Sequence, residues 1–340
     1  MTGSVRSTMR VAALVLLFLL LLGAAGWGVL ALLYWDHASP PLRYALAVAF
    51  ALCSLILAMG FTRRRWRWRS LGSFAALFAL LLACWTALQP SNDRDWQPEN
   101  AVLAYASIDG DRVTLHNIRN FDYRSETDFK PAYYDRTFDL RQLDAVDLFT
   151  AYWMGPEIAH VFLSFGFADG NHVAISIEAR SERGDEYSSV KGFFRQYELY
   201  YAVGDERDLV RLRTNYRRHP VEDVYLYRLQ GDAAGAQRLF LEYMRRINAL
   251  RDHAQWYNTL TTNCTNTIWL MARTNPGHPP YSWKILVSGY VPEYLYHEGR
   301  LDTSMPFDEL RRRAYINALA RSADQEPDFS QRIRVALVHP

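Results

Sequence analysis

The residue best suited to chemistry is Cys264, in the run Tyr-Asn-Thr-Leu-Thr-Thr-Asn-Cys-Thr-Asn-Thr-Ile-Trp. Asn263 or Thr262 fits a helix N-cap, because its side-chain oxygen can accept a hydrogen bond from a free backbone N–H. Cys264 would then lie in the first turn, where those N–H groups and the helix dipole favour the thiolate. The same groups could receive an oxyanion. The pattern predicts a cysteine nucleophile, with a buried cysteine that only packs as the alternative.

A cysteine nucleophile needs a general base, and the sequence offers nine histidines. Most of them lie in loops, at a helix end or in the first predicted hairpin. His160 and His172 remain, and each opens one strand of the run HVFLSFGF-ADGN-HVAISIEAR. A histidine at a strand end is often only structural, so both stay candidates for the base.

The register of this hairpin decides whether a third residue joins the base. If the loop has three residues, 168–170, His160 lies opposite Glu178 on the same face, close enough for Glu178 to orient the imidazole. A loop of two or four residues places Glu178 on the other face. The sequence leaves this choice open, and Glu178 could equally pair with a nearby arginine.

The elements that carry these residues follow three apolar segments, 11–35, 44–61 and 71–88, each long enough to cross a bilayer. Eight of the 38 Lys and Arg residues, but one of the 36 Asp and Glu residues, lie before residue 90. The first part is therefore basic and apolar and the remainder mildly acidic, which indicates a membrane anchor followed by a soluble domain. The acidic balance gives no reason to expect nucleic-acid binding.

The distribution of arginines predicts the orientation of the anchor. Arg6 and Arg10 precede the first segment, and five arginines lie in the loop 63–69 after the second. The loop between the first two segments carries Asp36, His37 and Arg43. By the positive-inside rule the N-terminus is cytoplasmic, and everything after residue 89 lies on the opposite side. The segments carry no ionisable residue in mid-span, which favours an anchor over a transporter.

The domain from residue 90 to residue 340 shows both strand and helix patterns. Strands are predicted around an Asp-Gly turn in 101–120, in the 160–180 hairpin, and over 209–214 and 224–229. Helices are predicted over 233–252, 265–273 and 306–322. The fold class is therefore α+β. The histidines and acidic residues lack the spacing of a metal site, and no cofactor is expected.

Two long segments, AHVFLSFGFADGNHVAISIEARSERGDEYSSVKGFFRQYELYYAVGDERDLVRLRT and YNTLTTNCTNTIW, resemble the periplasmic domain of the Lnb-type lipoprotein N-acyltransferases. The resemblance covers roughly residues 92–274 and implies a His–Cys pair, His160 and Cys264. A histidine on a strand followed by Asn-Cys at a helix start is also similar to permuted papain-like folds, namely the NlpC/P60 relatives and the lecithin:retinol acyltransferase group. The latter group has a second histidine on the next strand, where His172 lies here. The implied fold is a papain-like domain with an antiparallel sheet packed on helices.

The resemblance also implies an activity. A thiol acyltransferase of the bacterial inner membrane would carry acyl chains through a thioester, with Cys264, His160, Glu178, Asn263 and His172 as candidate site residues. Its expected partners are membrane phospholipid and a lipoprotein, without a cofactor. Lnb-type proteins place their membrane helices after this domain, whereas three segments precede it here, which leaves the substrate open. A cysteine hydrolase of the envelope and a non-catalytic binding or scaffold protein are the alternatives.

Overall fold

The computed structural model describes residues 2–35 and 38–338, without the side chains of residues 2–4, 6 and 338. The predictions for Asp36, His37 and the Arg6 side chain therefore lie outside the described residues. The three apolar segments form the helices α1 (Thr2–Leu33), α2 (Pro40–Thr62) and α3 (Arg67–Ala87). Their spans Ser7–Leu33, Pro40–Thr62 and Arg67–Ala87 are long and apolar enough to cross a membrane, which confirms the prediction.

The chain divides into two units, and the first comprises Met1–Pro90 together with Ser188–Gln196. Its helices pack closely, and a Cβ atom added to Gly28 would lie 2.5 Å from the ring of Phe50. The segment Ser188–Gln196 contacts these helices through Arg195, whose guanidinium lies 4.0 Å from the centre of the Trp85 ring. Sequence patterns gave no sign that 188–196 clusters with the helices.

The second unit, Ser91–Tyr187 with Tyr197–Pro340, is built on an eight-stranded sheet. Seven strands follow the order β1-β2-β9-β8-β7-β6-β10, and β5 pairs with β2. Neighbouring strands are antiparallel except at the single parallel contact between β2 and β9. The strands are β1 (Tyr105–Asp109), β2 (Arg112–Arg119), β3 (Asp122–Tyr123), β4 (Phe129–Lys130), β5 (Tyr133–Asp139), β6 (Leu143–Tyr152), β7 (Ala159–Phe167), β8 (His172–Arg180), β9 (Glu198–Gly204) and β10 (Asp223–Arg228), with β3 and β4 in a separate pair.

Helices cover both faces of the sheet, which explains why the central strands are almost continuously apolar. The helices of this unit are α4 (Glu206–Arg211), α5 (Ala233–Asp252), α6 (Cys264–Ala272), α7 (Trp283–Leu286), α8 (Val291–His297), α9 (Phe307–Ala314), α10 (Asn317–Ser322), α11 (Phe329–Arg332) and α12 (Val335–Val338). One core joins β7 residues such as Val161 and Leu163 to α5, α6, α8 and α9. The other joins Phe162 to α4, α10 and α11. The predicted α+β class, with an antiparallel sheet packed on helices, is confirmed.

Two predicted elements differ in the structure. Residues 209–214, predicted as a strand, belong to α4 and the π-helical turn Leu212–Tyr216. The side chain of Asp205 caps α4 by accepting a hydrogen bond from the N–H of Arg207. In the sequence, the strand-forming residue types of 209–214 outweighed this indication of a helix start. The predicted helix 306–322 is broken into α9 and α10, because the N–H of Ile316 turns to the carbonyl of Val224 on β10 (3.0 Å).

Candidate active site

The start of α6 is fixed by a tight turn. The Oδ1 atom of Asn258 accepts hydrogen bonds from the N–H groups of Leu260 and Thr261, both at 3.0 Å. Asn263 then caps the helix, with its Oδ1 atom 2.8 Å from the N–H of Asn266. Cys264 is therefore the first helical residue, as the sequence predicted. The first N–H groups of a helix have no partner within it, so they are available to an anion.

The imidazole of His160 lies near the thiol of Cys264, and each side chain shifts the pKa of the other. The backbones of Val161 and Thr265 also favour the thiolate. Burial raises the pKa of the Cys264 thiol, but the interactions with His160 and with these two backbones outweigh burial, so the pKa is lowered overall. The geometry brings the predicted nucleophile and base together and favours the reactive thiolate.

The pKa of His160 is shifted in the opposite direction. Burial and the nearby charge of Arg213 lower it, whereas the interactions with Cys264 and Glu178 raise it. The net result is a pKa above the usual value of histidine. A raised imidazole pKa beside a lowered thiol pKa favours the imidazolium–thiolate pair over the neutral pair.

The hairpin of β7 and β8 has the three-residue loop 168–170, since the N–H of Phe167 bonds the carbonyl of Asn171 at 2.9 Å. The ladder pairs Gly166 with His172 and ends where Leu163 pairs with Ile175. Continuing that register places His160 across from Glu178, as one of the predicted alternatives required.

Glu178 interacts with His160 chiefly through Ser176. The Nε2 atom of His160 lies 2.6 Å from the Oγ atom of Ser176, which donates a hydrogen bond to Oε1 of Glu178 at 2.7 Å. The direct distance from Nε2 to Oε1 is 3.5 Å. Because Nε2 is occupied by Ser176, Nδ1 is the ring nitrogen left for the thiol. The sequence missed this serine, although period-two alternation places Ser176 on the same face as Glu178.

An ion bridge with Arg213, which also binds Glu222, holds the carboxylate of Glu178. Arg213 lies 3.1 Å from Oε1 of Glu178 and 3.0 Å from Oε2 of Glu222. Arg217 also binds Glu222, at 2.5 Å. Burial raises the pKa of Glu178, but the hydrogen bond with His160 and the charges of Arg213 and Arg217 lower it well below its ordinary value. Arg213 was missed, because the sequence gives no signal that separates a buried arginine from a solvated one.

The structure does not bring His172 to the cysteine. His172 pairs with Gly166 at the far end of the hairpin, and its Nδ1 atom lies 3.1 Å from the carbonyl oxygen of Gly170. Six residues of extended strand separate Gly166 from His160, which corresponds to roughly 20 Å. The expectation that His172 joins the site is therefore corrected: histidines that open both strands of one antiparallel hairpin lie at its opposite ends.

Asn263 lies next to the candidate nucleophile, but both polar atoms of its side chain form hydrogen bonds within the turn and the helix start. Its Oδ1 atom caps α6, and its Nδ2 atom donates to the carbonyl of Thr259 at 2.8 Å. Its contribution to the site is thus the position of Cys264. Within residues 2–35 and 38–338, no group of three or more potential ligands is arranged to hold a metal ion.

These observations define a membrane-anchored α+β protein whose second unit combines a helix-start cysteine with a His–Ser–Glu chain. Residues 129–289 match the family model described as the Lnb N-terminal periplasmic domain. His160, Glu178 and Cys264 all lie within the matched residues. The resemblance to the Lnb-type periplasmic domain is thus confirmed over these residues, and together with the three membrane-length apolar helices it fits a membrane protein with a periplasmic domain. No curated protein and no solved structure matches the chain.

Proposed function

We propose that this protein is a Cys/His thiol acyltransferase of the bacterial cell envelope that acts on lipid or lipoprotein substrates through a thioester on Cys264. The observation that supports the proposal most is the position of Cys264 at the start of α6, near His160, which lowers the pKa of the thiol. A depressed thiol pKa, an adjacent imidazole and free N–H groups at a helix start are the parts that acyl transfer requires.

In the first half-reaction the Cys264 thiolate attacks the carbonyl carbon of an acyl ester. The backbone N–H groups at the start of α6 stabilise the oxyanion of the tetrahedral intermediate. The intermediate collapses with cleavage of the C–O bond, and the His160 imidazolium gives its proton to the departing alkoxide. A C–S bond has then replaced a C–O bond, and the products are acyl-Cys264 and an alcohol such as a lysophospholipid.

In the second half-reaction an amine attacks the thioester carbonyl, and neutral His160 accepts the proton of that amine. The C–N bond forms, the C–S bond breaks, and the thiolate and imidazolium are regenerated. The acceptor proposed here is the N-terminal amine of a lipoprotein. Anchoring the enzyme in the bilayer that holds both lipid substrates raises their effective concentration. We place the protein in the inner membrane, with the N-terminus in the cytoplasm.

The test uses full-length protein reconstituted in phospholipid vesicles and intact-mass spectrometry of the protein. We expect a mass increase of one acyl chain that Cys264→Ala abolishes, and a transfer of that chain to an added lipopeptide amine. Cys53→Ala and Cys84→Ala are matched controls, because these free cysteines lie in α2 and α3, outside the site. Fatty acid release that does not depend on the acceptor would support the hydrolase instead, and the absence of any acyl-enzyme would overturn the proposal.

A further inference from the structure

A cavity of about 510 Å³ lies between strands β6 and β7 and helices α5, α6 and α8. Its size falls within the usual range of small-molecule sites, about 300–1,000 Å³. Val161 and Thr265, which directly follow His160 and Cys264 in the chain, line this cavity. The cavity therefore begins beside the two candidate catalytic residues and continues on the α5 side of the sheet.

The cavity follows one row of side chains along α6. Ile268 and Ala272 both line it, and they lie four and eight residues after Cys264. Residues four apart on a helix are neighbours on one face. With a rise of 1.5 Å per residue, the row from Cys264 to Ala272 extends about 12 Å. This shape suits a linear ligand attached at the cysteine better than a compact one.

The walls along this row are mainly hydrocarbon, whereas polar groups gather at the end away from Cys264. Arg300 donates a hydrogen bond to the carbonyl of Gly277, which follows the end of α6, so it lies at the end away from Cys264. Its buried Nε atom has no hydrogen-bond partner within the described part of the chain. Apolar walls between a reactive thiol and a polar end fit an alkyl chain. The apolar lining residues facing α6 include Val146, Leu148, Leu163, Leu239 and Leu295.

We propose that this cavity binds the acyl chain of the donor ester, with its carbonyl carbon at Cys264 and the chain running past Ile268 toward Ala272. The inference rests on the proposed acyltransferase function and adds the position and the length selection of the acyl chain. Each methylene that leaves water for an apolar site favours binding by about three- to fourfold. Acylation of Cys264 therefore accelerates with chain length until the chain reaches the polar end.

The experiment measures acylation of full-length Cys53→Ala/Cys84→Ala protein by nitrophenyl acetate, octanoate and dodecanoate in detergent micelles. The thiolate displaces nitrophenolate, so each event forms one C–S bond and breaks one C–O bond. Nitrophenolate absorbance and the mass of the acyl-enzyme both report the rate. We expect octanoate to acylate Cys264 faster than acetate by about tenfold or more.

Two cavity-filling variants test how far the acyl chain extends along α6. Ile268→Trp should slow octanoate and dodecanoate by about tenfold or more relative to acetate, whereas Ala272→Trp should slow dodecanoate more than octanoate. Leu270→Trp is the matched control, because Leu270 lies on the same helix but is 36% exposed and does not line the cavity. The control also corrects for partition of the esters into micelles, which is the same for all variants.

The outcomes separate the inference from the function on which it rests. If acetate acylates Cys264 but chain length has no effect, or if the three tryptophan variants behave alike, the acyl-chain site is wrong and the acyltransferase proposal stands. If no ester acylates Cys264, the proposed function itself fails. If Ile268→Trp misfolds and no longer reacts with acetate, the ratio of dodecanoate to acetate rates in Ala272→Trp tests the acyl-chain site instead.

Discussion

The Oγ atom of Ser176 lies 2.6 Å from Nε2 of His160, closer than any carboxylate oxygen comes to that ring. At 3.5 Å the contact between His160 and Glu178 is longer than a usual hydrogen bond. The serine hydroxyl instead accepts from the imidazole and donates to Glu178. This chain occupies Nε2 and leaves Nδ1 for Cys264, so we infer that Ser176 and Glu178 act as positioning residues.

Ser176→Ala should therefore lower the rate of Cys264 acylation without removing the nucleophile. Hydrogen bonds that involve charged groups contribute about 1.5–3 kcal/mol, so we expect a decrease in kcat of roughly ten- to hundredfold. The pH–rate profile should shift as well, because the imidazolium loses its acceptor. Stopped-flow acylation by nitrophenyl acetate across pH 5–9 measures both effects.

Ser107→Ala is the matched control for this prediction. Ser107 lies on β1, and its Oγ atom contacts a histidine ring as well, 3.1 Å from Nε2 of His116. Removing this exposed hydroxyl should leave rate and profile unchanged. If Ser176→Ala loses stability but keeps the pH profile of the wild type, Ser176 is a packing residue and the His–Ser–Glu chain has no part in positioning the base.

The alkylation of Cys264 should depend on pH in a way that follows from the two pKa shifts. A lowered thiol pKa keeps the thiolate populated as the pH falls below about 8.5, the usual value for cysteine. His160→Gln removes the interactions with the imidazole that lower this pKa and leaves burial, which raises it. We expect the midpoint of the iodoacetamide rate to lie at a lower pH in the wild type than in the variant.

The measurement uses the Cys53→Ala/Cys84→Ala background, so that Cys264 is the single thiol. His116→Gln is the control, because His116 is bound to Asp135 and lies outside the site. A midpoint that stays the same in His160→Gln would show that the imidazole does not influence the thiol, and the His–Cys pair would then be an incidental contact.

The local parts of this site could be predicted from the sequence, and its tertiary parts could not. The N-cap and the helix start at Cys264 follow from short-range hydrogen bonding, which residue types reveal. Period-two alternation limited the hairpin to alternative registers, and one of them placed Glu178 across from His160. The choice between them required the length of the loop, which several turn geometries allow.

The contacts that the sequence missed depend on long-range packing. Arg213 reaches Glu178 because residues 209–216 are helical rather than extended, and helix or strand propensity is easily overridden by tertiary context. The approach of Cys264 on α6 to His160 on β7 likewise joins residues far apart in the sequence. Neither of these long-range contacts can be inferred from a single sequence.

Removal of the helix cap should destabilise the site and raise the thiol pKa. Asn263→Ala leaves the N–H of Asn266 without its acceptor, at a cost of about 1 kcal/mol. For a domain of this size we expect thermal unfolding to shift down by about 2–4 °C. Asn263→Ser retains a capping oxygen and should recover most of the stability. Equal melting temperatures for the two variants would show that the cap contributes little.

The orientation in the membrane gives the last prediction, because five arginines in the segment 63–69 favour the cytoplasmic side. In a variant with all three native cysteines replaced by alanine, Arg64→Cys and Ser107→Cys each introduce one exposed thiol. A membrane-impermeant maleimide applied to intact spheroplasts should label the cysteine at 107 and leave the one at 64 unlabelled. Permeabilisation should then expose the latter. Labelling of the position-64 cysteine on intact spheroplasts would reverse the topology and place the candidate nucleophile in the cytoplasm.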